Sequence, residues 1–121
     1  MAKTRYSYQA DLDVIDILAF TYEEFGSDAH YRYQELIRIA ISDVSNNPYR
    51  IGSRTHSHLE RWVRLYNLSG SVGHLVPALR VKHPRHFLAY RVEEDGAVVA
   101  IGRVLHDRMN PQLHLPPEVW E

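Results

Sequence analysis

The chain has no cysteine, which excludes disulfides, thiolate nucleophiles and cysteine-ligated metal centres. It has no apolar run approaching the ~18 residues of a membrane span. The opening Met1-Ala2-Lys3-Thr4-Arg5-Tyr6 lacks the apolar core of a signal peptide, so the cytoplasm is the expected compartment. There is no glycine-rich phosphate loop, because neither Gly70 nor Gly73 is followed by the lysine and helix start that such a loop needs. Repeats and low-complexity tracts are also missing. With 121 residues, 45% hydrophobic and 24% charged, the chain suits one folded domain over residues 1–121. That size leaves little room for a deep enclosed active site, so surfaces for partners are the expectation.

Acidic residues are scarce in one place. Residues 50–91 hold Glu60 alone against Arg50, Arg54, Arg61, Arg64, Arg80, Lys82, Arg85 and Arg91. Residues 1–48 are the reverse, with Lys3, Arg5, Arg32 and Arg38 against eight acids, so the net charge of −1 hides an acidic front and a basic middle. A basic stretch of this kind points to an anionic partner. Seven of the eight histidines lie beyond residue 50. His56-x-His58 and His83-x-x-His86 have metal-ligand spacing, but neither pair has a cysteine or an adjacent carboxylate to complete a site, so no metal and no cofactor is expected.

Arg5 to Tyr8 alternate weakly, as a short strand does. Leu12, Ile15, Leu18 or Ala19, Tyr22 and Phe25 then recur at helical steps, with Asp11, Asp13 and Asp16 in the first turns, where the helix dipole favours negative charge. Gly26 offers a stop and Asp28 a second N-cap. Tyr33, Leu36, Ile37, Ala40, Ile41 and Val44 form a second stripe, which Asn47-Pro48 ends. The spacing thus predicts an antiparallel helical hairpin over residues 9–47. Beyond it come strand patterns at Trp62–Leu68, His86–Val92 and Val98–Leu105, the last two joined through Asp95-Gly96, a hairpin signal. This gives a sheet over residues 60–106 with a long inserted loop or extended hairpin at about 69–84, flexible at Ser69–Gly73, and a tail over residues 107–121. Two helices on one face of a mostly antiparallel sheet, ordered β-α-α-β-β-β, make an α+β fold.

Pro84-Arg85-His86-Phe87-Leu88-Ala89-Tyr90-Arg91-Val92, Asp95-Gly96, and Gly102 through Pro111 together resemble the C-terminal half of ParE toxins in the RelE/ParE superfamily. The front half is similar too: Ala10-Asp11-Leu12-Asp13-x-Ile15, Phe25-Gly26 and Asn47-Pro48 match how that family starts, joins and ends its helices. Residues 69–83 are longer than in a compact member. The resemblance implies the toxin of a type II toxin–antitoxin pair, neutralised by a ParD-like antitoxin. That antitoxin carries a ribbon-helix-helix half and a tail that folds on the toxin. Phe20, Tyr22 and Tyr33, at the outer edges of the apolar stripes, are the expected anchors for that tail.

The superfamily implies one of two activities. One branch cuts mRNA on the ribosome, which takes a base, an acid and cations around the phosphate. Its arginine at the start of the aligned strand is Phe87 here, or His86 with a one-residue slip. The tail offers His106, Asp107 and Arg108 but no tyrosine, and neighbours in a strand point to opposite faces. The ParE branch blocks DNA gyrase by binding, with no catalytic residue. This chain's ending favours that branch, with Arg103, Arg108, Arg85, Arg91 and His106 as candidate target contacts, nucleic acid met only through the target complex and no membrane partner. Arg103, inside a strand pattern, could instead pair with Asp13 or Asp16. A toxin that has lost its activity and serves only antitoxin binding and autoregulation is the third reading.

Overall fold

The computed structural model describes residues Ala2–Glu121. Strand β1 (Lys3–Tyr6) leads into a long helical element, α1 (Tyr8–Asn46). Ser7 caps it, its side chain accepting the Ala10 amide at 2.9 Å, which satisfies one of the helix's orphan donors. The element breaks at Gly26, whose φ of 89° and ψ of −177° are non-helical and belong to a region that essentially only glycine occupies. One residue therefore does the work expected of a short connection, and Asp28, expected as a second cap, lies within the helical stretch.

The contacts of the two arms fix their direction. Early in the first arm, Asp13 bonds Arg103 and Val104 of the last strand. Tyr33, early in the second arm, bonds His86, which is paired with His106 at that strand's far end. Late in the second arm, Ser45 accepts the Ala2 amide and meets Thr4, back where β1 begins. The arms thus run out and return, as an antiparallel hairpin. Buried on the second arm are Tyr33, Leu36, Ile37, Ala40 and Val44, the stripe read from the sequence except for Ile41, which is only partly buried. The first arm turns inward a different stripe, Ala10, Val14, Ile17 and Thr21. Ile15, Tyr22 and Phe25 stand in solvent instead. Tyr33, expected at an outer edge, is buried.

The sheet has five strands in the order β1-β5-β4-β3-β2, with β2 at Ser53–Arg54, β3 at Val63–Asn67, β4 at His86–Glu93 and β5 at Val98–His106. β1 runs parallel to β5 and the other pairings are antiparallel. Two-residue β2 carries no strand pattern in the sequence. At the β4–β5 turn Glu94, Asp95 and Gly96 all have positive φ, so the Asp-Gly turn extends one residue further back than expected. Residues 69–73, expected to be flexible, lie in a 3-10 turn (Leu68–His74). Asp43 tethers that turn, accepting from Ser71 at 2.6 Å and meeting His74 Nδ1 at 2.8 Å.

Both faces of the sheet are covered. The hairpin packs on Tyr66, Leu88, Tyr90, Val99, Ile101 and Val104. The opposite face, carrying Val63, Leu65, Phe87, Ala89, Ala100 and Leu105, is closed by Leu59 and by Leu115, Val119 and Trp120 of the tail. Covering each large side chain is worth about 1.5–3 kcal/mol, so the tail is part of the core. Gly102 makes this possible. It is the extra residue where the β4–β5 register shifts between Ala89 and Tyr90, and a side chain there would meet the Trp120 ring at 2.6 Å.

Candidate functional site

Where the hairpin bends, the ends of β4 and β5 and the loop before β4 enclose an open groove of about 870 Å³. Ile17, Phe20, Thr21, Phe25 and Ala29 come from α1; Ala78 and Val81 come from the loop, and Met109 follows β5. Phe20 and Phe25 pack edge to face, centroids 6.4 Å apart, and are 59% and 69% exposed. Around this apolar surface stand Arg32, Arg80, Lys82 and Arg85, with His83, His86 and His106. Asp16 is the one carboxylate among the described residues lining the groove. With Arg85 paired to Asp107, the three remaining fixed positive charges against one negative make the groove cationic on a chain whose net charge is −1.

A polar cluster closes one end. The buried Tyr33 hydroxyl meets His86 Nδ1 at 2.6 Å and accepts the Arg85 amide at 3.2 Å. Burial pushes the Tyr33 phenol up to about 12, so it stays protonated and donates to His86. Burial, helped by His106, holds the His86 imidazole down to about 4. It is neutral at physiological pH, with its proton on Nε2. The His86 and His106 rings meet edge to face at 5.2 Å. His106 Nδ1 lies 3.1 Å from the Arg108 amide, which donates to it, and 3.3 Å from Asp107. With an amide donating to Nδ1, neutral His106 also carries its proton on Nε2.

The residues singled out in the sequence are distributed unevenly. His86 and His106 meet here with Arg85, which is half exposed and paired with Asp107 at 3.1 Å. The exposed Arg108 has no side-chain partner among the described residues. Arg103 is committed elsewhere. Its Nε and Nη2 donate to Asp13 at 2.8 and 2.9 Å, and Nη1 reaches the His114 carbonyl. Both members of the pair are largely buried, and Asp13 holds the arginine pKa above its usual value. Arg91 lies on the covered face, paired with Glu93 and 5.0 Å from the Trp120 ring. Phe20 and Tyr22 are exposed on the hairpin; Tyr33 contributes to the groove wall from a buried position.

Arg32, Arg80 and Lys82 were not among the sequence candidates. A signal for two of them existed in the acid-free run Arg80 to Arg85, whereas nothing in the sequence places Arg32 opposite that run. His56 and His58 approach each other at 5.6 Å. No group of three or more metal-ligating side chains occurs among the described residues, and no described helix is long and apolar enough to cross a membrane.

Residues 4–111 match the family model for the ParE toxin of type II toxin-antitoxin system, parDE. No curated protein matches the chain.

Proposed function

Because the chain belongs to the ParE toxin family of type II toxin–antitoxin systems, we propose that it acts by binding DNA gyrase, without cutting RNA. The observation that carries this reading is the state of the two imidazoles in the groove. Each has Nδ1 occupied as an acceptor, by the Tyr33 hydroxyl for His86 and by the Arg108 amide for His106. Neither therefore directs a free lone pair from Nδ1 at a ribose hydroxyl, and a pKa near 4 makes His86 a weak base. The strand position that holds arginine in the RNA-cutting branch falls here on Phe87, buried on the face beneath the tail, or with a one-residue slip on His86, and neither is an arginine. A blocking toxin needs only exposed contacts, and Arg108, Arg85 and the imidazole edge of His106 supply them.

Neutralisation falls to a ParD-like antitoxin whose folding tail uses the exposed Phe20 and Tyr22 of the hairpin as apolar anchors. Burying such rings against a partner removes surface that is unfavourable in water.

The test is induction without antitoxin, with supercoiling and transcript integrity followed together. The expected outcome is growth arrest with intact mRNA, and loss of gyrase supercoiling when purified toxin is added. Codon-linked mRNA cleavage with normal supercoiling would overturn the gyrase reading, and so would the absence of any growth defect.

A further inference from the structure

The fold sorts the basic middle of the chain into committed and uncommitted cations. Arg50 pairs with Asp43 at 3.1 Å, Arg64 donates to Ser53, Arg91 pairs with Glu93, and Arg85 pairs with Asp107. Arg54, Arg61, Arg64, Arg80 and Lys82 have no carboxylate partner among the described residues. Two of these five, Arg80 and Lys82, stand on one wall of the groove, and the equally unpaired Arg32 lines it from α1. Arg80 is held in place by the carbonyls of Leu75 (2.9 Å) and Gly73 (3.3 Å). Those bonds orient the guanidinium without neutralising it.

We propose that this groove binds single-stranded nucleic acid. Two of its features must be met by one ligand: a concentration of unneutralised positive charge, and aromatic rings left open beside it. A strand carries a charge at every nucleotide and presents base faces that stack on exposed rings such as Phe20 and Phe25. A duplex satisfies the cations but keeps its base faces stacked internally. An acidic peptide seating its apolar side on these rings would also meet the surrounding cations, and co-purification with the antitoxin separates the two occupants. The strand would share Arg85 and His106 with the proposed gyrase contacts and Phe20 with the proposed antitoxin anchor, so its binding is measured on the chain alone, without either partner.

Fluorescence anisotropy of the full-length chain with a labelled oligothymidylate, over a range of salt concentrations, tests it. The expected result is saturable binding that weakens with salt, and weaker binding of a duplex of equal length. Lys82→Gln and Arg32→Gln remove no hydrogen bond or ion pair of the described fold. Each should weaken binding several-fold and lower the slope of log affinity against log salt by ~0.7, the value for one lost phosphate contact on a single strand. Phe20→Ala should weaken it on the order of tenfold with the slope unchanged. Arg61→Gln, an unpaired cation away from the groove, should leave it unaltered. Absence of binding at low salt overturns the proposal, as does an Arg61→Gln effect equal to that of Lys82→Gln. If Lys82→Gln and Arg32→Gln keep the oligonucleotide but no longer co-purify with the antitoxin, the groove is a peptide surface and the proposal fails.

Discussion

At the scale of single residues, Asp13 carries more of the fold than any sequence pattern suggests. β1 ends at Tyr6, opposite Ile101, so β5 continues without a strand neighbour on that side. Asp13 takes the place of the missing strand by accepting the Val104 amide at 2.9 Å while also holding Arg103. Asp13→Ala leaves a largely buried guanidinium with only the His114 carbonyl and the Val104 amide with no partner, and should cost about 3 kcal/mol in urea denaturation. Loss of toxicity in Arg103 variants should accordingly track loss of stability. Arg108→Ala should change stability by less than about 0.5 kcal/mol, yet weaken the proposed gyrase inhibition; unchanged inhibition would remove Arg108 from the proposed target surface. His86 makes a prediction in pH. Its folded value near 4 lies below the ~6.5 of an unfolded histidine, so the unfolded chain takes up the proton first. Stability is complete above about pH 6.5 and falls as pH drops toward 4, by about 2–3 kcal/mol at most. His86→Gln should flatten that part of the stability–pH curve.

Among the elements, the hairpin and the tail depend on glycines for opposite reasons. Gly26 has open space around its Cα but a φ of 89°, so the obstacle to a side chain is backbone conformation alone. Gly26→Ala should cost about 1–3 kcal/mol, and thermal denaturation of the antitoxin complex, compared with the free toxin, reveals whether a partner compensates the strain. Gly102 is limited by contact, because a Cβ there would meet Trp120 and Val119 at 2.6 and 2.9 Å. Trp120→Ala should destabilise the chain by about 3–5 kcal/mol and expose the far sheet face to hydrophobic dyes. A truncated chain lacking the tail should aggregate, since Phe87, Leu65 and Leu105 would then face water. If Trp120→Ala unfolds no earlier than the parent chain in urea, the tail is not part of the core.

For the molecule as a whole, a chain of nearly balanced charge presents one cationic groove, because acids elsewhere are used to neutralise structural arginines. Local periodicity and turn chemistry suffice for the second arm's stripe, the stop at Gly26, the three long strands and the β4–β5 turn. Each of these is set by residues a few positions apart. The first arm's inward face is not legible in the sequence, because aromatic Tyr22 and Phe25 outweigh Ala10 and Thr21 in any hydrophobic count, although small residues are what lets a helix approach a sheet closely. The site was legible only in part. His86 and Arg85 lie in the motif that carries the family resemblance, but Tyr33 reaches them from more than fifty positions away. By itself, then, the sequence determined the α+β order, the family and the presence of a surplus of cations, all properties of local pattern. Only the tertiary structure decided which cations remain free, which face the tail covers and which aromatics stay in water. Those depend on long-range partners such as Asp13 for Arg103 and Asp107 for Arg85, and no spacing in the chain specifies them.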